Sequence, residues 1–514
     1  EARSHDPGTL GPRRTDQFRH RAATVDRMRA AGLDAYPVAA AATPTTPLGA
    51  LPPCAWEQPT RLSGVGRVRA VRDHGGVVFV RLVDGRDELQ VLLDVATIGR
   101  RCLDQLTAVV DIGDLLRVNG VTGRSRAGTP SLLADGWRME AKSLHPVPFR
   151  SFDDATARTR QRSTDLLTHP EGIDLLRQRS AVVGSLRRTL TDDGYLEVET
   201  PMLHTVHGGA TARPFRTFIN AYGVDLSLRI APELHLKRLL VAGLGPVFEL
   251  GRNFRNEGAD ATHNPEFTSL EVYRPHADYV TMRRLTERLV KEAARTVHGR
   301  EVLPLPGPDA LRTGLDGVEL VDVSGPWPVV PVLTAVSEEL GQQVSLDTDM
   351  DELLRLADAH GVAVRPDMGA GAVIEELYAA LVEPRTMRPT FYTDFPVETS
   401  PLAHRHRSEP GLAERWDLVV AGMEVGTAYS ELTDPLDQRA RLTEQSLKAA
   451  AGDPEAMEVD EDFLLALELG MPPSGGLGVG VDRLVMLLTN TPIRSILTFP
   501  FVRPLTDHRS LSWS

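Results

Sequence analysis

The chain has 514 residues, 41% of them hydrophobic and 25% charged, which is enough for two or more domains with sizeable cores. No run of about 18 apolar residues and no signal-peptide pattern occurs, so a transmembrane helix is excluded. Two cysteines, Cys54 and Cys102, exclude a disulfide framework and indicate a reducing compartment such as the cytoplasm. Residues 1–150 contain 21 Lys+Arg against 16 Asp+Glu, while the whole chain carries −13. The basic front end therefore either meets a polyanion or merely aids solubility.

The first 60 residues contain few apolar periodicities. Residues 1–14 are predicted to be disordered, and residues 17–37 form a basic helix that Gly32 stops. Residues 38–60 are rich in Ala, Pro and Thr, which is typical of a linker.

Residues 61–146 contain five short β-rich runs, with one helical piece near 95–110. Short β-rich runs of this kind are typical of strands. Five short strands with an inserted helix predict a small Greek-key barrel of the OB type.

Residues 147–172 are polar and predict a connector to a larger unit, residues 173–505. This unit opens with a long amphipathic helix that Gly194 ends, followed by a strand that stops at Pro201. Residues 305–390 are mostly helical between Pro and Gly breaks, as in an insertion.

The segment FRNEGADATHNPEFTSLEVY predicts a hairpin with chemistry on its strands. Side chains alternate along a strand, so Arg255 and Glu257 share a face of the first strand. Phe267, Glu271 and Tyr273 share a face of the second. Arginine binds phosphate or carboxylate, glutamate accepts from an amine, and an aromatic ring stacks on a base. The alternative is a solvated hairpin with cross-strand ion pairs.

The segment GGLGVGVDRLVML predicts a glycine-rich strand that runs into an apolar helix. Closely spaced glycines allow the backbone to approach a ligand, and Arg483 lies where an anion could bind. Tight packing of the strand on the helix is the alternative.

The segment WDLVVAGMEVGTAYSEL predicts a hairpin with Ala421 and Gly422 as its turn. Val419 then opposes Glu424, and Asp417 lies diagonally across on the same face. Two neighbouring carboxylates fit Mg²⁺, which proteins bind through carboxylates together with nucleotide phosphates. An exposed polar face is the alternative.

Taken in order, these segments resemble the class II aminoacyl-tRNA synthetases, specifically lysyl-tRNA synthetase. The helix and strand ending at Pro201 resemble motif 1, which implies a homodimer. The segment FRNEGADATHNPEFTSLEVY resembles motif 2, and the segment GGLGVGVDRLVML resembles motif 3. The stretches GGATARPF, LRIAPELHLKRLL and SELTDPLDQR resemble signatures of the lysine enzymes. The resemblance implies an α+β fold: an OB-fold β-barrel, then a catalytic domain with a mixed, mainly antiparallel sheet flanked by helices.

The resemblance implies that ATP, Mg²⁺, L-lysine and a lysine tRNA are the ligands. Arg255 and Arg483 would act in catalysis, with Arg255 bridging the α-phosphate and the lysine carboxylate. The implied contacts to ATP are Arg255, Glu257, His263, Phe267 and Arg483. The implied metal ligands are Asp417 and Glu424.

The implied lysine pocket is acidic, as a cationic side chain requires. Glu271, Tyr273 and Glu431 match contacts to the ε-amino group. Gly209 and Glu233 match contacts near the α-amino group, and Arg255 the carboxylate. Related enzymes for aspartate or asparagine would need cationic or amide groups instead.

In the barrel, the resemblance implies an anticodon reader. Phe79 would stack on an unpaired base and Gln90 would bind a base edge, with Arg67 and Arg72 as phosphate contacts. The alternative for Phe79 is a place in the barrel core.

Several positions depart from ordinary lysyl-tRNA synthetases. Thr262 replaces an arginine, Thr427 an asparagine and His235 a tyrosine, and FIN at 218–220 replaces a histidine-rich run. These departures resemble the synthetase portion of bifunctional lysylphosphatidylglycerol biosynthesis proteins, in which a membrane lysyltransferase comes first. The start at Glu1 rather than methionine fits a piece of such a chain. A housekeeping synthetase, or an RNA-binding relative without ligase activity, is the alternative.

Overall fold

The computed structural model describes residues 16–38, 45–50, 56–305, 314–450 and 456–503. The predicted disordered start, residues 1–14, and residues 39–44 and 51–55 of the predicted linker lie outside these ranges. The chain divides into two compact units, one that ends at Asp174 and is joined by residues from Val502 onward, and one that runs Leu175–Phe501.

The first unit contains a closed five-stranded barrel in the order β1-β2-β3-β5-β4, which confirms the predicted OB fold. Val68, Val78, Val80 and Leu82 are fully buried inside it, because alternate residues of each strand face inward. The elements are α1 (Asp16–Ala30), β1 (Arg61–Asp73), β2 (Val77–Asp84), β3 (Asp87–Asp94), α2 (Val95–Ile98), α3 (Arg100–Val109), β4 (Leu115–Arg124) and β5 (Pro130–Ala141).

Three helices follow the barrel, and the last continues into the second unit. They are α4 (Ala155–Arg160), α5 (Arg162–Thr168) and α6 (Glu171–Asp192). Gly194 has a φ of +81°, so it adopts the left-handed conformation that ends a helix, as predicted.

The second unit is built on an eight-stranded sheet in the order β14-β15-β16-β17-β18-β11-β10-β6. Its pairs are antiparallel except β14 with β15 and β10 with β6, which confirms the predicted mixed, mainly antiparallel α+β fold. The strands are β6 (Leu196–Glu197), β7 (Leu203–His204), β8 (Arg216–Ile219), β9 (Val224–Leu228), β10 (Val247–Phe254), β11 (Glu266–Pro275), β12 (Val302–Pro304), β13 (Leu320–Asp322), β14 (Val329–Pro331), β15 (Thr390–Pro396), β16 (Leu412–Val420), β17 (Met423–Ser430) and β18 (Ser474–Gly480).

Helices pack on this sheet, and the largest core cluster joins α8 and α14 to β11, β16, β17 and β18. No helix within the described ranges is long and apolar enough to cross a bilayer. The helices are α7 (Glu233–Val241), α8 (Tyr279–His298), α9 (Val332–Leu340), α10 (Met350–Ala359), α11 (Ala370–Leu377), α12 (Pro435–Ala450), α13 (Glu461–Glu468), α14 (Val481–Thr489) and α15 (Ile493–Ile496).

The first strand of the motif 2 hairpin is shorter than its sequence pattern predicted. Strand β10 ends at Phe254, so Arg255 and Glu257 lie in the β10–β11 loop (residues 255–265) rather than on the strand. The strand ends there because the Glu257 amide donates locally to the Arg255 carbonyl, and Asp260 closes a turn farther on. Strand β11 carries Phe267 and Glu271 on one face, as predicted.

Candidate active site

A cavity of about 450 Å³ opens in the second unit, over the strands β11, β17 and β18. It is lined by residues that are far apart in the sequence. They include residues of all three segments predicted to carry chemistry: FRNEGADATHNPEFTSLEVY, WDLVVAGMEVGTAYSEL and GGLGVGVDRLVML. The sequence-predicted residues that line it are Gly209, Glu233, Arg255, Glu257, His263, Phe267, Glu271, Tyr273, Asp417, Glu424 and Arg483.

Arg255 and Phe267 form one wall of the cavity. The guanidinium carbon of Arg255 lies 5.1 Å from the centre of the Phe267 ring, a cation–π contact that holds the arginine over the ring. The Arg255 Nε is buried and has no hydrogen-bond partner among the described residues. A buried N–H without an acceptor favours binding of an anionic group from a ligand.

Arg483 lies at the start of α14, on the opposite wall. Its Nη1 donates to the Glu424 carbonyl over 2.9 Å, and its Nη2 lies 3.2 Å from His263 Nε2. The β10–β11 loop and α14 therefore meet through their side chains. The prediction that the glycine-rich strand runs directly into the helix that carries Arg483 is also confirmed, because β18 ends at Gly480 and α14 begins at Val481.

The cavity floor is acidic. The Tyr273 hydroxyl donates to Glu271 Oε2 over 3.2 Å, and both side chains are buried. Burial, followed by repulsion from Glu233, raises the pKa of Glu271 to about 8. A buried carboxylate in this state gains stability from a cation that enters the cavity.

Beneath the floor, Lys237 pairs with two buried carboxylates. Its Nζ lies 2.6 Å from Glu233 Oε1 and 2.5 Å from Glu431 Oε2. Burial raises the pKa of Glu431 to about 8 although Lys237 acts to lower it. One ammonium group therefore serves two carboxylates, so the region retains an excess of negative charge.

Glu431 does not line the cavity but lies beside Gly476 of β18, on the face that also carries the Tyr273 ring, where it pairs with Lys237. A Cβ added to Gly476 would collide with Glu431 Oε1 and with the Tyr273 ring. Because Gly476 has no side chain, Tyr273 of β11 and Glu431, which follows β17, can both lie close to β18.

Gly209 completes the side of the cavity above Glu233. Its φ is +87°, a conformation that glycine adopts readily, and an added Cβ would lie 3.2 Å from the Glu233 Cβ. Its backbone can therefore come close to a ligand beside the Glu233 carboxylate.

The predicted β16–β17 hairpin is confirmed. Ala421 and Gly422 both have positive φ, as the tight turn requires, and Val419 pairs with Glu424. A bulge follows, so that Asp417 pairs with Thr427.

The acidic corner formed by Asp417 and Glu424 contains two further charged groups. Arg415 Nη2 lies 2.8 Å from Asp417 Oδ2, and Glu383 Oε1 accepts from the Glu424 amide over 3.1 Å. Burial, followed by repulsion from Glu424, raises the pKa of Glu383 to about 7.

This corner fits Mg²⁺ by its donor chemistry. Carboxylate oxygens are hard ligands, and magnesium in nucleotide sites uses one or two carboxylates together with substrate phosphates. Within the described ranges, no group of three or more His, Cys, Asp or Glu side chains is arranged to hold a metal by itself. A metal here would therefore be shared between Asp417, Glu424 and a bound nucleotide.

Three departures from ordinary lysyl-tRNA synthetases have defined places in the structure. Thr262 and Thr427 line the cavity, and Thr427 Oγ1 donates to the Trp416 carbonyl over 3.2 Å. The His235 ring lies 4.7 Å from the His204 ring, and its Nδ1 is buried without a partner among the described residues. Burial lowers the pKa of His235, so the pair remains uncharged.

On the barrel, Phe79 lies on the outer surface, because its neighbours Val78 and Val80 fill the core. It pairs across the strands with the exposed Arg72. Gln90 faces outward as well and donates to Ser131 Oγ over 2.9 Å. Arg67 donates to the Gly113 carbonyl over 2.6 Å. The core alternative for Phe79 is therefore wrong.

Sequence reasoning missed Lys237, Arg415 and Glu383. The first had a signal, because Glu233 and Lys237 are four residues apart and so share a helix face. Arg415 is two residues from Asp417 on the same strand, which places both side chains on one face. Glu383 had no signal, because nothing in its local sequence indicates that it returns to this corner.

The chain matches two protein-family models that agree with this architecture. Residues 154–503 match the class II tRNA synthetases for D, K and N, and residues 64–140 match the OB-fold nucleic acid binding domain. The fold and the site therefore define a class of protein: the chain belongs to the class II tRNA synthetases.

Three relatives within this class are similar to almost the whole chain. Over 96% of its own length, the chain is 53% identical to a protein of Nocardia farcinica. It is 51% identical to a protein of Gordonia bronchialis over 96% of the chain, and 49% identical to a protein of Mycobacterium tuberculosis over 95% of the chain. Each is named lysylphosphatidylglycerol biosynthesis bifunctional protein LysX. The chain spans only 42–43% of the length of these three relatives.

Proposed function

We propose that this chain is a lysine–tRNA ligase, which activates L-lysine with ATP and transfers it to a lysine tRNA. The observation that carries the proposal is the buried acidic floor, where the Tyr273 hydroxyl donates to Glu271, and burial together with Glu233 raises the pKa of Glu271 to about 8. A lysine ammonium group supplies the missing positive charge. An aspartate or asparagine side chain supplies none.

The residues on the cavity walls support adenylate formation. Arg255, stacked on Phe267, would bind the α-phosphate and the lysine carboxylate together and stabilise negative charge as they react. Glu257 would accept from the adenine amino group, and His263 and Arg483 would bind the outer phosphates. No general base is required, because an ionised carboxylate is already a nucleophile.

The lysine contacts are proposed at the other end of the cavity. Glu271, Tyr273 and Glu431 would hold the ε-amino group. Gly209 and Glu233 would hold the α-amino group. Asp417 and Glu424 would hold Mg²⁺, which supplies charge neutralisation on the phosphates when it is bound.

The transfer step requires a tRNA, and the barrel supports that partner. Phe79 and Arg72 lie side by side on its outer surface, a pairing of aromatic ring and cation that suits an unpaired base and its phosphate. Gln90 would read a base edge, and Arg67, whose guanidinium donates to the Gly113 carbonyl, would lie near a phosphate. The motif 1 helix α6 would form a homodimer.

The names of the relatives support a role in lipid lysylation. We infer that the lysyl-tRNA made here serves as the donor for lysylation of phosphatidylglycerol, by a linked membrane lysyltransferase in the whole protein. The synthetase would then work on the cytoplasmic side. A housekeeping role in translation is the competing use of the same product.

Lysine-dependent exchange between ATP and pyrophosphate tests the ligase. We expect exchange with lysine and Mg²⁺, and none above background with aspartate or asparagine, the substrates of the other enzymes in the class. Absence of exchange with lysine, while the protein is folded and Mg²⁺ is present, would contradict the proposal. Charging of a lysine tRNA transcript tests the second step.

A further inference from the structure

The β10–β11 loop is organised by one aspartate. Asp260 Oδ1 accepts hydrogen bonds from the Thr262 amide and the His263 amide, each over 2.7 Å, and from the Thr262 hydroxyl over 3.0 Å. The Asp260 amide in turn donates to the His263 carbonyl over 3.1 Å. These bonds hold residues 260–263 in a closed turn.

The same carboxylate sets the state of the His263 ring. Nδ1 lies 3.1 Å from one Asp260 oxygen and 2.9 Å from the other. Although partial burial acts to raise it, hydrogen bonds from Thr262 and His263 hold the pKa of Asp260 well below its usual range. An ionised carboxylate only accepts, so the hydrogen-bond network assigns the proton to Nδ1.

With Nδ1 protonated, Nε2 of the neutral ring is free to accept. It lies 3.2 Å from Nη2 of Arg483, which can only donate. The bonds therefore run in one direction, from Arg483 through His263 to Asp260. Arg483 Nη1 extends the chain to the Glu424 carbonyl on β17.

Asp260 itself does not line the cavity, whereas His263, Arg483 and Glu424 do. An aspartate in direct contact with phosphates would repel them. Behind the imidazole it has another effect, because it fixes the orientation of the ring and keeps Nε2 available as an acceptor for Arg483.

We propose that Asp260 is a positioning residue for ATP, which acts through His263: the ring, fixed with its Nε2 as the acceptor, orients the Arg483 guanidinium toward the outer phosphates. This inference rests on the proposed function. Thr262 belongs to the same device, because its hydroxyl donates to Asp260.

Direct titration of the full chain with MgATP and with AMP tests the role of Asp260. In Asp260→Asn the amide oxygen still accepts from the loop amides, but the charge that orients the ring is lost. We expect ATP binding to weaken about five- to tenfold, the scale of one hydrogen bond. AMP binding stays unchanged, because AMP lacks the outer phosphates.

A double-mutant cycle separates positioning from loop structure. His263→Ala should weaken ATP binding by itself, and adding Asp260→Asn should then change it less than twofold. Thr262→Val, which removes one donor and keeps the shape, should give a smaller loss in the same direction. Asp367→Asn, at an exposed pair with Arg365, is the matched control and should change neither titration.

Two results would overturn the proposal: equal weakening of ATP and AMP binding by Asp260→Asn, or its full effect persisting in the His263→Ala background. If Asp260→Asn unfolds, the Thr262→Val cycle with His263→Ala decides in its place. The titrations need no lysine, so the outcome is separate from the exchange assay. ATP binding without lysine exchange contradicts only the ligase, and no ATP binding contradicts both.

Discussion

The Tyr273 hydroxyl donates to Glu271 Oε2 over 3.2 Å, and both side chains are buried on the same strand. This contact supplies a neutral donor but no positive charge. The nearest ammonium group, that of Lys237, is already shared by Glu233 and Glu431. The buried Arg229 guanidinium, which acts to lower the pKa of Glu271, is paired with Glu249, so we propose that the ammonium group of lysine supplies the positive charge beside Glu271.

The first prediction concerns Glu271→Gln, which keeps the shape and removes the charge. We expect kcat/KM for lysine in exchange to fall roughly a hundredfold, the scale of about 3 kcal/mol for losing one partner of a buried ion pair. KM for ATP should change little. Glu266→Gln, at an exposed position on the same strand, is the control and should keep wild-type values.

The same variant has a predicted effect on stability. The pKa of Glu271 is about 8 in the folded chain against an ordinary 4.5, so the folded state binds the extra proton between these values. Stability without lysine must therefore fall as pH rises from about 4.5 to 8. Thermal unfolding should show a smaller fall for Glu271→Gln. An identical pH dependence in both proteins would contradict the raised pKa.

Lysine binding should release protons near neutral pH. A bound ammonium lowers the pKa of Glu271 from about 8, so the carboxyl group loses its proton on binding. Between pH 6 and 8, lysine affinity should rise with pH. Calorimetry in buffers of different ionisation enthalpy measures the release, which should be much smaller in Glu271→Gln. Affinity that is constant over this range would argue against the mechanism.

Lys237→Met tests the buried charge beneath the cavity. Removing the ammonium leaves Glu233 and Glu431 buried without a counter-charge, and we expect unfolding free energy to fall by about 3 kcal/mol. Urea denaturation measures the change. Lys448→Met, at an exposed pair with Glu444, should have almost no effect. Equal stability of the two variants would show that Lys237 is dispensable.

Phe79→Ala tests the barrel surface. We expect KM for tRNA to rise roughly tenfold, since stacking of one base contributes about 1–3 kcal/mol. ATP–pyrophosphate exchange should stay at the wild-type rate, because it does not use tRNA. The variant should discriminate less than the wild type between the normal transcript and a transcript with a mutated anticodon. Equal charging of both transcripts by the wild type would remove the anticodon role.

Local patterns predicted most of the elements that build the site. The alternation in β11 predicted that Phe267 and Glu271 share a face, and the Ala421–Gly422 turn predicted the pairing of Val419 with Glu424. Both depend on contacts between residues close in the sequence.

The remainder depends on packing between distant segments. Arg255 was predicted on a strand, but the turn closed by Asp260 ends the regular pairing first. Asp260 is in the same loop as Arg255, but Lys237 of α7 pairs with Glu431, and Glu383 accepts from the Glu424 amide, across long separations in the sequence. Neither of these two contacts could be derived from a local segment.

The glycines of β18 have a consequence for how the enzyme could change. In the sheet, Gly476 pairs with Tyr273 and Gly478 with Glu271. Gly476 leaves space that the Tyr273 ring and Glu431 fill, whereas Gly478 leaves open space beside the Glu271 side chain. The glycines of β18 therefore determine the size of the cavity, and Glu271 of β11 determines its charge. Selectivity for the length of an amino acid and for its charge can therefore evolve by separate substitutions on adjacent strands.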